Sequence, residues 1–158
     1  MARTGWEIMK NQTALTRKYP DAPRPAVGAV VFKDDTVLLV LRGNSPSRGT
    51  WAIPGGSVHL GETLQAAAER EILEETGVVI RAGDPILVFD AIERDNHGAV
   101  KFHYVIVDLT ADYVSGVPRA GDDAADARWI RESELGRLPV NPATRRLLAE
   151  KFNFGRQA

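Results

Sequence analysis

The chain contains no cysteine. That excludes disulfides, thiol nucleophiles and thiolate-bound zinc or iron–sulfur centres. Histidine is scarce, and His59, His97 and His103 are widely spaced, so a histidine-rich metal site is not expected. An excess of one charge is also missing: 20 Lys and Arg against 21 Asp and Glu leave a net charge of −1. Such a chain has no bulk attraction for a nucleic acid polymer or for an anionic membrane surface. No run reaches the roughly 18 apolar residues of a membrane helix. The longest apolar stretch, 29–41, is interrupted by Lys33, Asp34 and Asp35. Met1–Pro20 has no apolar h-region and no small-residue cleavage site, so no signal peptide is expected and the cytoplasm is the default location.

At 158 residues, the chain has room for one domain. Residues 1–23 read as a peripheral arm ending in prolines, and 24–158 as the domain. Ala26–Phe32 and Thr36–Leu41 read as two strands of a hairpin around Lys33-Asp34-Asp35. Arg42–Gly49 is loop chemistry. A helix opens at Gly61-Glu62-Thr63 and runs to about Thr76, with Gly77 at the left-handed position after it. Strands are expected at Val78–Ile80, Pro85–Glu93, Ala99–Leu109 and Ala127–Ile130. Ala111–Asp123 reads as a loop, and Asn141-Pro142 starts a helix to about Phe152. The order predicts an α+β domain of packed layers around a mixed sheet.

The helix carries an anomaly. Leu64, Ala67 and Ala68 form an apolar stripe, and seven residues later the same direction holds Glu71, Glu74 and Glu75. An acidic helix face is ordinarily solvated and turned away from the apolar stripe. Here three carboxylates at i, i+3 and i+4 lie along it, repel one another and sit near the negative end of the helix dipole. A cation is wanted, and hard oxygen ligands favour Mg²⁺ or Mn²⁺. Carboxylate-bound Mg²⁺ commonly shares a phosphorylated substrate, so the cluster itself predicts phosphate chemistry.

Gly56, Glu62, Arg70-Glu71-Ile72, Glu74-Glu75 and Gly77-Val78 fill every position of the Nudix box without a gap. The chain therefore resembles the Nudix hydrolase family, with similarity extending from about Pro25 to Glu150. The resemblance implies an α/β/α sandwich with a mixed central sheet. It also implies hydrolysis of a nucleoside diphosphate linked to another moiety. Glu71, Glu74 and Glu75 would then hold the metal, with the Gly55 carbonyl as a further ligand. Arg70 would orient a box glutamate, Glu62 would brace the loop-to-helix junction, and Gly56 would serve backbone geometry.

A carboxylate must take a proton from the attacking water. Beyond the box, Asp122 and Asp123 are candidates, weighed equally against an ordinary surface turn. Arg42, at a strand end facing the box, is a candidate phosphate grip, against the alternative of an exposed arginine. Trp51 reads as a structural plug rather than a base-stacking platform. As a group, Asp90, Arg94, Asp95, His103 and Tyr104 resemble the ADP-ribose pyrophosphatase-like branch, with Arg94 a candidate substrate contact. Each alone reads as an ordinary turn or cross-strand residue. The expected substrate is a small nucleotide, first ADP-ribose, giving AMP and ribose 5-phosphate. House-cleaning of (d)NTPs with release of pyrophosphate is the alternative. A non-catalytic nucleotide sensor is the reading from another class, disfavoured by the complete glutamate set. The N-terminal arm could support a homodimer.

Overall fold

A computed structural model describes residues 18–44, 47–121 and 123–156. Residues 1–17, most of the expected arm, and the candidate base Asp122 lie outside the described residues. Lys18 to Pro23 precede the first strand, and there the Tyr19 N–H donates to the Lys101 carbonyl and the Tyr19 hydroxyl to Asp95.

One seven-stranded sheet organises the chain. Strand β1 (Arg24–Lys33) turns into β2 (Thr36–Arg42), as the hairpin pattern predicts. Two short strands follow, β3 (Trp51–Ala52) and β4 (Gly55–Ser57). Long strands β5 (Val79–Arg94) and β6 (Val100–Ser115) come after the first helix, and β7 (Ala124–Arg131) pairs with β2. The main path runs β3-β2-β1-β6-β5. The β1–β6 pair is parallel and the other named pairs are antiparallel, so the sheet is mixed.

Each face is covered by one helix. Helix α1 (Leu64–Thr76) lays Ala67, Ala68 and Ile72 onto Val27, Ala29, Val31, Leu38 and Leu109. Its two alanines let the helix axis approach the sheet closely. Helix α2 (Pro142–Phe152) places Leu147 and Leu148 on the opposite face with Val30, Leu39, Trp51 and Ile130. Between β7 and α2 runs a 3-10 helix, Glu132–Arg137, which the sequence pattern did not indicate. The α+β sandwich is the expected one. No helix among the described residues is long and apolar enough to cross a membrane.

The ends of α1 follow local chemistry. Thr63 caps the start by accepting the Ala66 N–H at 3.1 Å. Gly77 adopts φ 73° and donates to the Leu73 carbonyl, the left-handed stop that glycine tolerates without a Cβ clash.

Three expectations are corrected. Val78–Ile80 and Pro85–Glu93 are not separate strands but parts of continuous β5, which absorbs Gly83 and Pro85 at register shifts. As the edge of the sheet, β5 tolerates the missing proline N–H. The expected loop from Ala111 is strand to Ser115, because these residues pair with the start of β5. Finally, β7 begins at Ala124 rather than Ala127, since Ala124 pairs with Arg42.

Candidate active site

The loop from Trp51 to Ser57 and helix α1 meet at the glycine pair. Strand β4 runs beside β1 with Val27 opposite Gly56 and Gly28 opposite Gly55. A Cβ on Gly55 would collide with the Val27 carbonyl oxygen, and one on Gly56 would collide with the Glu71 carboxylate. Both positions therefore need the absence of a side chain for a packing reason. Together they bring the β4 backbone against the acidic turn of α1.

The three glutamates are graded in burial rather than equivalent. Glu75 is 7% exposed, Glu71 keeps 18% of its side-chain surface and Glu74 keeps 50%. The core-facing stripe of α1 continues through Ile72 and Thr76, and Glu75 lies along it. Glu71 and Glu74 lie progressively further round. Burial raises the Glu75 carboxyl from 4.5 to about 7, opposed by the Gly55 N–H, which donates to Oε2 at 3.0 Å, and by Arg42. Burial also raises Glu71, opposed by its hydrogen bond from Arg70.

Arg70 organises the group. Its Nε and Nη2 donate to the two Glu62 oxygens at 2.5 and 2.9 Å. Nη1 donates to Glu71 at 2.9 Å and to Glu74 at 3.3 Å, and Nη2 also donates to the Ser57 carbonyl at 3.0 Å. Glu62 itself accepts the His59 N–H at 2.8 Å. The planar guanidinium thus joins the loop, the start of α1 and two of its carboxylates, a task a lysine ammonium could not match. The Arg70 hydrogen bonds pull Glu62 down to about 2.

A second loop closes the far side of Glu75. The Arg119 and Gly121 N–H groups donate to the Thr76 and Glu75 carbonyls, so this loop caps the C-terminus of α1. That docking places Asp123 near enough to raise Glu75 electrostatically, as Arg42 lowers it. The Gly43 N–H donates to the Asp123 carbonyl, and the Asn44 amide reaches its carboxylate at 3.4 Å. The structure therefore brings together Arg42, Gly55, Gly56, Arg70, Glu71, Glu74, Glu75 and Asp123. Arg94 is not among them: it donates to the Gly98 carbonyl in the β5–β6 turn. Asp95 shapes the same turn by accepting the His97 and Ala99 N–H groups. Trp51 is 3% exposed with Arg128 stacked over its ring, the expected plug.

As the side chains lie, no three acidic or imidazole groups among the described residues already gather as a ligand set. Each glutamate turns to a donor of the protein instead. The donor chemistry still fits a hard divalent cation: carboxylate oxygens and a backbone carbonyl, one carboxylate buried enough to resist ionisation without a positive partner. The Ser57 carbonyl and the loop of Arg119 and Gly121, which hold this arrangement, escaped sequence reasoning because backbone groups carry no residue signature.

Comparison with known proteins agrees with this geometry. Residues 22–151 match the family model for the NUDIX domain. An ADP-ribose pyrophosphatase of Methanocaldococcus jannaschii is 36% identical over 116 residues, 73% of this chain and 66% of that protein. An NAD-capped RNA hydrolase of Deinococcus radiodurans is 33% identical over 138 residues, 84% of this chain and 46% of that protein. The crystal structure of a MutT NUDIX hydrolase from Burkholderia pseudomallei superposes with a TM-score of 0.65 at 30% identity, covering 83% of this chain and 99% of that one.

Proposed function

The chain belongs to the NUDIX domain family, a family of pyrophosphohydrolases, and on that premise we propose that it hydrolyses ADP-ribose to AMP and ribose 5-phosphate. The carrying observation is the Arg70-braced glutamate cluster, set against Gly55 and Gly56, in a chain similar to a protein named for that reaction. The second relative is named for NAD-capped RNA, which also joins an adenosine diphosphate to a further ribosyl group.

Glu71, Glu74, Glu75 and the Gly55 carbonyl would hold Mg²⁺ or Mn²⁺. When bound, a divalent cation neutralises charge on the pyrophosphate and acts as a Lewis acid. The protein groups do the rest. Arg70 holds Glu71 and Glu74 in one orientation. Arg42 grips a phosphate oxygen. Asp123, brought to the cluster by the Gly121 loop, takes the proton of the attacking water. (d)NTP pyrophosphohydrolysis is the second reading, supported by the likeness to a protein named a putative 8-oxo-dGTP diphosphatase, 32% identical over 132 residues.

Product analysis with Mg²⁺ tests this on ADP-ribose, other NDP-linked compounds and a dNTP panel. AMP and ribose 5-phosphate at the best kcat/KM support the proposal. Pyrophosphate from preferred dNTPs overturns the substrate but keeps the family chemistry. Binding without turnover moves the protein to the sensor reading.

A further inference from the structure

Asp108 is 4% exposed, and no hydrogen bond or ion pair reaches its carboxylate from the described residues. Its chain neighbours Val107 and Leu109 pack on the core beneath α1, so its side chain points to the other face of the sheet. There it lies in register with Gly28 of β1, which is itself opposite Gly55 of β4. A Cβ on Gly28 would stand 2.5 Å from Asp108 Oδ1 and 3.0 Å from Ile53 Cδ1. The adjacent row is Ser57, Ala26 and Ile106. Small residues therefore floor this part of the sheet, with Ile53 and Ile106 at its borders. No side-chain oxygen among the described residues is both sealed and unpartnered. The Asp108 carboxylate oxygens therefore keep a little accessible surface.

A carboxylate buried in this way costs stability and receives nothing back from the fold. Burial alone pushes it up to about 6. Its chemistry limits what could compensate. A phosphate would be repelled. A lone carboxylate among apolar groups lacks the further oxygens a divalent cation needs. A neutral N–H or O–H donor with apolar faces fits. Two strand spacings, about 10 Å, separate Asp108 from Gly55, a span comparable to the reach from a pyrophosphate to its nucleoside.

We propose that Asp108 is the specificity-determining acceptor for a donor on the nucleoside of the substrate, the base amino group or the ribose 2′-hydroxyl. The inference rests on the nucleotide reading of the neighbouring carboxylate cluster, but its test needs no turnover.

Calorimetric titration of AMP, IMP and 2′-deoxy-AMP into the wild type, Asp108→Asn and Asp108→Leu decides it, with Tm recorded for each. Asp108→Leu should bind AMP about 10- to 100-fold more weakly, the loss of one charge-assisted hydrogen bond. Its Tm should be unchanged or higher, which a structural role would not give; Asp108→Asn supplies the same comparison at constant shape. In the wild type, one analogue should lose a similar factor, and Asp108→Leu should not distinguish that analogue from AMP. Loss with IMP assigns the base amino group; loss with 2′-deoxy-AMP assigns the ribose. Equal AMP affinity in the wild type and both variants overturns the proposal, as does a wild type that binds all three equally or none. A wild type inactive on ADP-ribose that still discriminates through Asp108 defeats the substrate assignment alone.

Discussion

The Gly55 N–H donates to the Glu75 carboxylate at 3.0 Å, fastening the β4 strand to the acidic turn of α1. This bond explains why a buried glutamate is compatible with the fold: one oxygen already has a backbone donor. The other partners offered to Glu75 are electrostatic, attractive from Arg42 and repulsive from Glu71 and Asp123. Glu74 differs, being half exposed and held, among the described residues, by Arg70 alone at 3.3 Å. Glu74→Gln should therefore fold with little change in Tm. Turnover should fall by at least about 100-fold, the scale of losing a metal-positioning or proton-accepting carboxylate. Thermal melts beside steady-state kinetics check it; near-normal kcat/KM would remove Glu74 from the machinery.

Arg70 makes a second separation testable. Arg70→Lys keeps the charge but cannot reach Glu62, Ser57, Glu71 and Glu74 at once. Metal affinity should fall about 10- to 100-fold, the usual cost of releasing an orienting partner. Glu62→Gln should shift it in the same direction, because Glu62 fixes Arg70 rather than any cation. Titration of Mn²⁺ followed by electron paramagnetic resonance would show this. Unchanged affinity in both variants would make the Arg70 network a purely structural brace.

The two box glycines should fail in different ways. A Cβ on Gly55 meets rigid β1 backbone, whereas one on Gly56 meets the end of the Glu71 side chain. Gly55→Ala should cost about 1–3 kcal/mol or more, as overpacking against immovable atoms does. Gly56→Ala should be milder in stability and severe in activity, because Glu71 must swing away. Urea denaturation and turnover of both variants provide the comparison; equal stability losses would mean the β4 strand moves as a unit.

These residues also show what was legible in advance. The β1–β2 hairpin, the helix start at Gly61-Glu62-Thr63, the Gly77 stop and the acidic anomaly of α1 all rest on local chemistry, and all were readable. Strand β5 was not: it was expected as two strands, Val78–Ile80 and Pro85–Glu93, yet an edge strand with register shifts accommodates Gly83 and Pro85 without a break. Residues 111–115 read as loop because their pairing partner lies about thirty residues back in β5, outside any local window. The convergence of Asp123 on Glu75 depends on backbone N–H groups of the Gly121 loop, which spacing cannot reveal. Asp108 was hidden differently. In a strand of alternating pattern a polar residue reads as solvent-facing, and only the small residues on β1 and β4 show that it is buried.

Asp108 also gives the metal-free protein a pH dependence of defined sign. Its carboxyl titrates at 3.8 in the open chain and at about 6 in the fold, raised by burial. Between these values the unfolded state has lost the proton that the folded state retains, so stability falls as pH rises through the window. Above about pH 6 both states are ionised and the penalty is constant. The two-unit shift bounds the loss at about 3 kcal/mol. Glu75, raised from 4.5 to about 7, acts in the same direction, so the wild-type curve alone does not isolate Asp108. The difference between wild type and Asp108→Asn does, because asparagine does not titrate. Urea denaturation from pH 4.5 to 8 in EDTA should show Asp108→Asn gaining on the wild type up to about pH 6.5, then running parallel. Curves parallel throughout would mean that the buried carboxylate finds a compensating donor in solution, and that the site beside Gly28 is wetter than the 4% exposure of Asp108 implies.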